Sequence, residues 1–422
     1  MSSPPLTITP PDHPLVGRVT PPGSKSITNR ALLLAALAKG TSRLTGALKS
    51  KDTALMAAAL RQMGVSVEEP DATSFVVRSE GYLAAPAEPL FLGNAGTATR
   101  FLTAAVALVD GTVVVDGDEA MRKRPIAPLL VALRSLGIKA DASTGCPPVT
   151  IEGHGHFGSG RVEIDAGLSS QYVSALLMAA PFGEGAIDVA LAGKDLDARG
   201  YVDLTIAAMT AFGGNVTQLD PTTWRVAPTK YTATDFRIEP DASAATYLWA
   251  AEALTGGRID LGVPMEAFTQ PDAKAAAFIR MFPKMPAVID GSQMQDAVPT
   301  LAVLAAFNDT PVRFVGIANL RVKECDRISA LATELARIQP GLAHEEGDDL
   351  VVSGDPRLRG AAQRNATTRI ETYEDHRIAM SLALAGLRIG GITILDPDCV
   401  GKTYPGYWQA LRALGVTLTP TA

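Results

Sequence analysis

An amphipathic helix, a glycine and a short strand recur along these 422 residues, and a chain with that period has few ways to fold. The phrase reads Ala59-Leu60-Arg61-Gln62-Met63-Gly64-Val65-Ser66-Val67, then Ala132-Leu133-Arg134-Ser135-Leu136-Gly137-Ile138-Lys139-Ala140, and returns over 208–217, 332–345 and 410–418. Gly64, Gly137 and Gly213 are 73 and 76 residues apart, and Gly341 and Gly415 are 74 apart. A glycine in that place closes a helix in the left-handed conformation. The period is roughly 70 residues, so six units fill the chain.

A second phrase accompanies it: a polar capping residue, then an Ala/Leu-rich helix with no polar face. Its instances begin near Ser26, Thr97, Ser170, Asp241, Asp296 and Asp375. A helix that is apolar all round must be buried. Short Val/Ile/Thr runs, Thr112 to Val115, Val162 to Ile164, Val312 to Val315 and Ile392 to Leu395, read as strands. Each unit is then βαβαββ-like. The fourth is the weakest, because Val263 to Pro286 carries four prolines. The expected fold is α/β: two similar domains, each of three βαβαββ repeat units around buried helices. The expected boundaries are 24–238 for one domain and 1–23 plus 239–422 for the other, with the active site in the cleft between them.

Composition narrows the function. With 47% hydrophobic and 19% charged residues the chain reads as an ordinary soluble protein, and the apolar runs are far too short to cross a bilayer. Met1 to Pro14 carries five prolines and no basic or apolar block, so no signal or transit peptide is expected there. Three cysteines without metal-like spacing, Cys146, Cys325 and Cys399, fit a reducing cytoplasm. A net charge of −6 argues against nucleic acid as partner. Any anion site must be a local gathering of cations.

Such gatherings occur at the starts of the apolar helices. Pro22-Gly23-Ser24-Lys25-Ser26-Ile27-Thr28-Asn29-Arg30 puts two cations and three hydroxyls before Ala31 to Ala38, and Ser24 or Ser26 can cap that helix. A phosphate or carboxylate there would meet free N–H donors, the positive helix end and two charged side chains. Leu92-Gly93-Asn94-Ala95-Gly96-Thr97 lets backbone approach a ligand closely, Arg122-Lys123-Arg124 puts three cations before a proline-started helix, and Leu168-Ser169-Ser170-Gln171 places hydroxyls at another helix start. Asn319-Leu320-Arg321-Val322-Lys323-Glu324-Cys325-Asp326-Arg327 and Tyr373-Glu374-Asp375-His376-Arg377 follow the same rule, and Lys402 and Asp296 complete the set. Read singly, each is a cap, a turn or a solvated charge run. Read together, they occupy corresponding places of a repeat. If those helix starts face one cleft, Lys25, Arg30, Arg124, Lys323, Arg327, Arg377 and Lys402 gather there and require two or three anionic groups. Asp296 and Glu324 would then stand among cations, in a setting suited to proton transfer.

These segments, in this order and spacing from Lys25 to Lys402, closely resemble the enolpyruvyl transferases, and within them the branch that acts on 3-phosphoshikimate. That resemblance implies two similar domains of three βαβαββ units, in agreement with the repeat. It implies transfer of the enolpyruvyl group of phosphoenolpyruvate to the 5-hydroxyl of 3-phosphoshikimate with release of phosphate, in aromatic amino-acid biosynthesis. It further implies a cytoplasmic monomer that uses no metal and no organic cofactor, binds neither nucleic acid nor membrane, and is a glyphosate target. Carried over by position, Lys25, Ser26, Arg30, Ser169, Ser170, Gln171, Asp296, Asn319 and Lys323 match contacts to 3-phosphoshikimate. Lys25, Gly96, Arg124, Gln171, Arg327, Arg377 and Lys402 match contacts to phosphoenolpyruvate. Asp296 matches the base that takes the proton of the attacking hydroxyl, Glu324 an acid serving the methylene carbon, and Lys25 a catalytic cation shared by both substrates.

Three positions depart from the pattern. Ala198-Arg199-Gly200-Tyr201 stands where many relatives carry a serine before a basic residue, so Arg199 becomes a candidate to replace a lost phosphate contact. Phe101 stands where proline is common, which bears on inhibitor response, and Cys325 stands where threonine or serine is frequent. Two other readings are weighed: transfer to UDP-N-acetylglucosamine, and a non-catalytic anion-binding scaffold. Lys25 is followed by Ser26 rather than asparagine, and no cysteine accompanies Arg122 to Arg124, which disfavours the first. The presence of both Asp296 and Glu324 disfavours the second.

Overall fold

The computed structural model describes residues 3–193, 199–363 and 367–421. The chain divides into two compact units, one of residues 1–22 and 240–422, the other of Gly23–Glu239.

In the Gly23–Glu239 unit the three apolar phrases form the helices Lys25–Leu37, Gly96–Ala105 and Ser170–Ala179. The middle one is buried at all ten positions, and the first is buried from Ile27 to Leu37. Their partners, Lys51–Gln62, Ala127–Ser135 and Gly200–Ala211, are amphipathic and bury one side only. Helices without a polar face therefore occupy the interior, and the amphipathic ones cover them. Leu32, Leu33 and Leu34 are wholly buried, each contributing on the order of 1.5–3 kcal/mol of transfer free energy.

Three four-stranded sheets complete this unit, and all share one pairing rule. Phe236–Arg237, Leu90–Phe91 and Gly160–Ile164 each run parallel to the next strand, Lys39–Thr45, Asp110–Asp116 and Ile187–Leu191 respectively. Two antiparallel strands follow in every case. The first sheet is closed by residues from the far end of the segment, since Phe236–Arg237 returns to pair with Leu44 and Thr45.

The other unit repeats the plan with Ala242–Thr255, Val298–Ala305 and His376–Ala383 inside. Ala275–Arg280, Arg327–Ile338 and Tyr407–Ala413 are their partners. Two of its sheets are four-stranded, and one of these takes the N-terminal strand Leu6–Thr9 between Ile392–Ile394 and Thr417–Pro420. The weak fourth repeat shows its prolines: among the described residues its sheet is the parallel pair Arg258–Asp260 with Val16–Arg18 alone, and short 3-10 turns, Met265–Ala267 and Pro271–Lys274, follow it. Proline lacks the N–H that a ladder needs.

Gly64, Gly137, Gly213 and Gly415 adopt positive φ, between 84° and 92°, directly after the outer helices, whereas Gly341, at 78°, lies beyond an extended Gln339 in a separate turn closed by Leu342 N donating to Gln339 O at 3.0 Å. Two of the six expected caps take another form. The Gly96–Ala105 helix starts at Ala95 without a side-chain cap, and Asp296 lies within a 3-10 turn, Gln295–Ala297, ahead of the Val298–Ala305 helix rather than at its N-cap, which is Ala297. The Asp296 carboxylate is engaged elsewhere.

Candidate functional site

In the Gly23–Glu239 unit the candidates cluster at the N-terminal ends of the three buried helices. Ser24 is the cap of the first, accepting from Ile27 N, so Lys25 and Ser26 open the helix. One turn on, Arg30 is almost wholly buried and ties the helices together. Its Nε donates to Thr205 Oγ1 at 2.7 Å, Nη1 to Ser26 O at 2.9 Å, and Nη2 to Ser174 Oγ at 3.2 Å and Tyr201 O at 3.1 Å. Phe101 lies against the guanidinium, 5.0 Å from ring centroid to Cζ. Arg30, Phe101 and Ser174 each stand one turn inside their helix. The first turns, bearing Ser26, Thr97 and Ser170, therefore lie at the same end of the unit.

Gln171 joins two of those turns, its Nε2 donating to Thr97 Oγ1 at 3.3 Å, while its buried Oε1 has no hydrogen-bond partner among the described residues. Ser169 caps its helix by accepting from Gln171 N, and Ser170 is buried. Burial pulls the Arg30 guanidinium down to about 10, so it remains a cation at neutral pH. All of its hydrogen bonds above go to neutral oxygens.

Gly96 has a steric purpose. A Cβ there would stand 2.7 Å from Arg100 Nη1 and 2.9 Å from Arg124 Cζ, so glycine lets two guanidiniums cross the helix start. Arg124 is buried, with Nη1 donating to Asn94 Oδ1 at 3.1 Å. The charge run around it is not uniform. Arg122 is half-exposed and pairs with Asp116 at 2.6 Å, and Lys123 is exposed, so only Arg124 of the three turns inward. Lys25 Nζ lies 3.8 Å from Asp52 Oδ2, a buried carboxylate in the first turn of the Lys51–Gln62 helix that the sequence analysis does not single out.

In the other unit Asp296, Glu324, Arg327, Arg377 and Lys402 form one network. Arg327 opens the Arg327–Ile338 helix, is 1% exposed, and meets three carboxylates. Nη1 lies 3.2 Å from Asp296 Oδ1, Nη2 2.7 Å from Glu324 Oε2, and Nε 2.7 Å from Asp375 Oδ2. Arg377 Nη2 reaches Asp296 Oδ2 at 2.8 Å, and Lys402 Nζ reaches Glu324 Oε1 at 3.1 Å. Burial opposes the charge on Arg327, yet Asp375, Glu324 and Asp296 outweigh it and hold the guanidinium above its ordinary range. Arg377 is likewise raised against burial, chiefly by Asp296. Burial pushes the Tyr247 hydroxyl, 3.5 Å from Arg377 Nη1, up to about 12.

Sequence reasoning treated these cations as needing external anions. Within this unit, three carboxylates, Asp296, Glu324 and Asp375, already face the three cations. Asp375 was read only as a helix start. It is that, accepting from Arg377 N at 2.8 Å, and it is also the buried partner of Arg327. Cys325, which stands where threonine or serine is frequent, donates to Asp375 Oδ2 across 3.5 Å, and burial lifts its thiol far above the ordinary range. Asn319 and Lys323 flank this network in sequence. Asn319 is 3% exposed, with an Oδ1 that has no hydrogen-bond partner among the described residues, and Lys323 is half-buried.

Arg199 bears on the missing serine contact. Its Nη1 donates to Pro221 O at 2.5 Å, and its Cζ stands 5.5 Å from the Trp224 ring centroid. Ala198 lies outside the described residues.

Residues 10–411 match the family model of EPSP synthase (3-phosphoshikimate 1-carboxyvinyltransferase). A 3-phosphoshikimate 1-carboxyvinyltransferase of Rhizobium leguminosarum bv. trifolii is 70% identical over 412 residues, covering 98% of this chain and 97% of its own. An EPSP synthase structure from Acinetobacter baumannii superposes with a TM-score of 0.79 at 26% identity, covering 98% of this chain and 99% of that one. The enolpyruvyl transferase NikO of Streptomyces tendae, at 16% identity and a TM-score of 0.71 over 99% of each chain, shares the fold.

Proposed function

The chain belongs to the EPSP synthase family, and from that premise we propose which of its residues carry the reaction. It transfers the enolpyruvyl group of phosphoenolpyruvate to the 5-hydroxyl of 3-phosphoshikimate and releases phosphate, a step of the shikimate pathway.

The observation that carries the assignment is that Asp296 and Glu324 sit on the two Nη atoms of one guanidinium, at 3.2 and 2.7 Å. Addition to phosphoenolpyruvate needs a proton taken from the attacking hydroxyl and a proton given to the methylene carbon. Two carboxyl groups fixed as neighbours can do both: Asp296 as the base, Glu324 as the acid. The C–O bond forms at C2 while the methylene becomes a methyl group. Elimination then returns a proton from that methyl to the protein, restores the double bond and expels phosphate. The intermediate carries carboxylate and phosphate together, so fixed cations lower its energy without reorganising.

Arg327, Arg377, Lys402, Lys25 and Arg124, with Gln171 and the Gly96 turn, are assigned to phosphoenolpyruvate. Lys25, Ser26, Ser169, Ser170, Gln171, Asn319 and Lys323 are assigned to 3-phosphoshikimate. The buried, unpartnered Gln171 Oε1 and Asn319 Oδ1 are acceptors that a substrate hydroxyl would satisfy. Arg30 is assigned the same ligand, acting through its charge and through the Ser26 carbonyl it holds. Binding of the anions exchanges carboxylate for substrate on Arg327, Arg377 and Lys402, which frees Asp296 and Glu324 for proton transfer. We read the chain as a cytoplasmic monomer; among the described residues no helix is long and apolar enough to cross a membrane.

The test is phosphate release with 3-phosphoshikimate plus phosphoenolpyruvate, run beside UDP-N-acetylglucosamine plus phosphoenolpyruvate. Release with the first pair alone is expected. Release with the UDP-sugar alone would transfer the chain to another branch.

A further inference from the structure

Asp375, which holds Arg327, closes a turn of uncommon geometry. Its N–H donates to Thr372 O at 2.9 Å, and the two residues between, Tyr373 and Glu374, have φ of 55° and 57°. Positive φ at both central positions is the pattern of mirror-image turns, which glycine, asparagine and aspartate favour. Tyrosine and glutamate carry no such preference. Something outside the turn must hold it.

The holder is the helix that Arg327 opens. Arg327 grips one end of the turn through Asp375, with Nε at 2.7 Å and Nη2 at 3.3 Å. Two turns further along the Arg327–Ile338 helix, Glu334 grips the other end. It is fully buried; its Oε1 accepts from Tyr373 OH at 2.8 Å and its Oε2 from Glu371 N at 3.2 Å. A buried carboxylate is costly unless its oxygens are hydrogen-bonded, and here both are.

We propose that Glu334 and Tyr373 are positioning residues for the phosphoenolpyruvate site. They fix the left-handed turn against the helix so that Asp375 meets the Nε edge of Arg327, which leaves the Nη atoms directed at Asp296 and Glu324. Loss of the Tyr373 hydroxyl lets the turn relax, moves Asp375, and lets Arg327 rotate away from the geometry that receives the substrate. This inference rests on the assignment of Arg327 to phosphoenolpyruvate.

The experiment compares Tyr373→Phe, Tyr373→Phe with Glu374→Asn, and Arg327→Lys, measuring KM for each substrate, kcat and the thermal unfolding midpoint. Glu374 is exposed, and asparagine adopts positive φ more readily than glutamate, so the second change supports the turn by another route. Tyr373→Phe is expected to raise KM for phosphoenolpyruvate about fivefold or more while KM for 3-phosphoshikimate stays within about twofold, and Glu374→Asn to restore part of that loss. Unchanged constants, equal shifts in both, a change confined to the unfolding midpoint, or no restoration would each overturn the proposal. Arg327→Lys is expected to raise KM for phosphoenolpyruvate about tenfold or more, because lysine cannot span three carboxylates. An unchanged value there would instead remove Arg327 from the site and leave the turn's role without a substrate to serve.

Discussion

Arg377 Nη2 stands 2.8 Å from Asp296 Oδ2, and the helix that carries Arg377 is capped by Asp375, the residue that holds Arg327 on the other side of the same carboxylate. Asp296 is therefore set between two guanidiniums whose positions share one helix cap. A disturbance of that cap reaches the proposed base from both sides.

Gly96→Ala is expected to act on phosphoenolpyruvate through Arg124. The new Cβ would press on two guanidinium ends, which can move, so the unfolding midpoint should change little. Displacing Arg124 by a few tenths of an ångström weakens a charged hydrogen bond, worth about 1.5–3 kcal/mol when lost entirely, so KM for phosphoenolpyruvate should rise up to roughly tenfold. Steady-state kinetics check this; a larger effect on 3-phosphoshikimate would count against the placement of Arg124.

Arg199→Ala is expected to be a stability variant. The guanidinium donates to the Pro221 carbonyl and lies over Trp224, and these contacts support a role in packing. Its loss should lower stability by about 0.5–1 kcal/mol and leave KM for 3-phosphoshikimate within about threefold. Denaturant unfolding and substrate titration separate the two, and a tenfold rise in that KM would return Arg199 to the phosphate.

Much of this was legible in the sequence because it is local. The period, the buried helices and the left-handed Gly64, Gly137, Gly213 and Gly415 follow from helix patterning and backbone sterics alone, while Gly341 belongs to the Pro340-Gly341 turn after its helix. What escaped was tertiary. Asp375 pairs with Arg327 from 48 residues away, so the text around it shows only a helix cap. Arg122 and Arg124 look alike in a charge run, and their difference comes from Asp116, which lies on a strand, taking the first, while the Gly96 turn receives the second. Asp296 looked like a helix start, but a 3-10 turn carries it, with Ala297 N bonded to Asp272 Oδ1 at 3.1 Å. Phe101 looked like a change near an inhibitor and is a buried platform for Arg30.

Stability should also depend on pH through Glu334. Burial raises its carboxyl above the ordinary value, against the hydrogen bond from Tyr373, the Glu371 N–H and the nearby Arg337. Between the ordinary and the raised value the folded chain keeps a proton that the unfolded chain has released. Its contribution is therefore full below the ordinary carboxylate value and is lost as pH rises through the raised one. Glu334→Gln cannot titrate, so the midpoint difference, variant minus parent, should be more positive at about pH 8 than at about pH 4. A difference independent of pH would mean that Glu334 does not titrate with folding.

The central claim is that Asp296 is the base, and turnover of Asp296→Asn tests it most directly. The amide keeps the shape and can still accept from one arginine, but it cannot take the hydroxyl proton, so kcat should fall by roughly 10²–10⁴ while KM for both substrates stays within severalfold. A variant that keeps more than about half of the parent turnover would contradict the account and remove Asp296 from the chemistry.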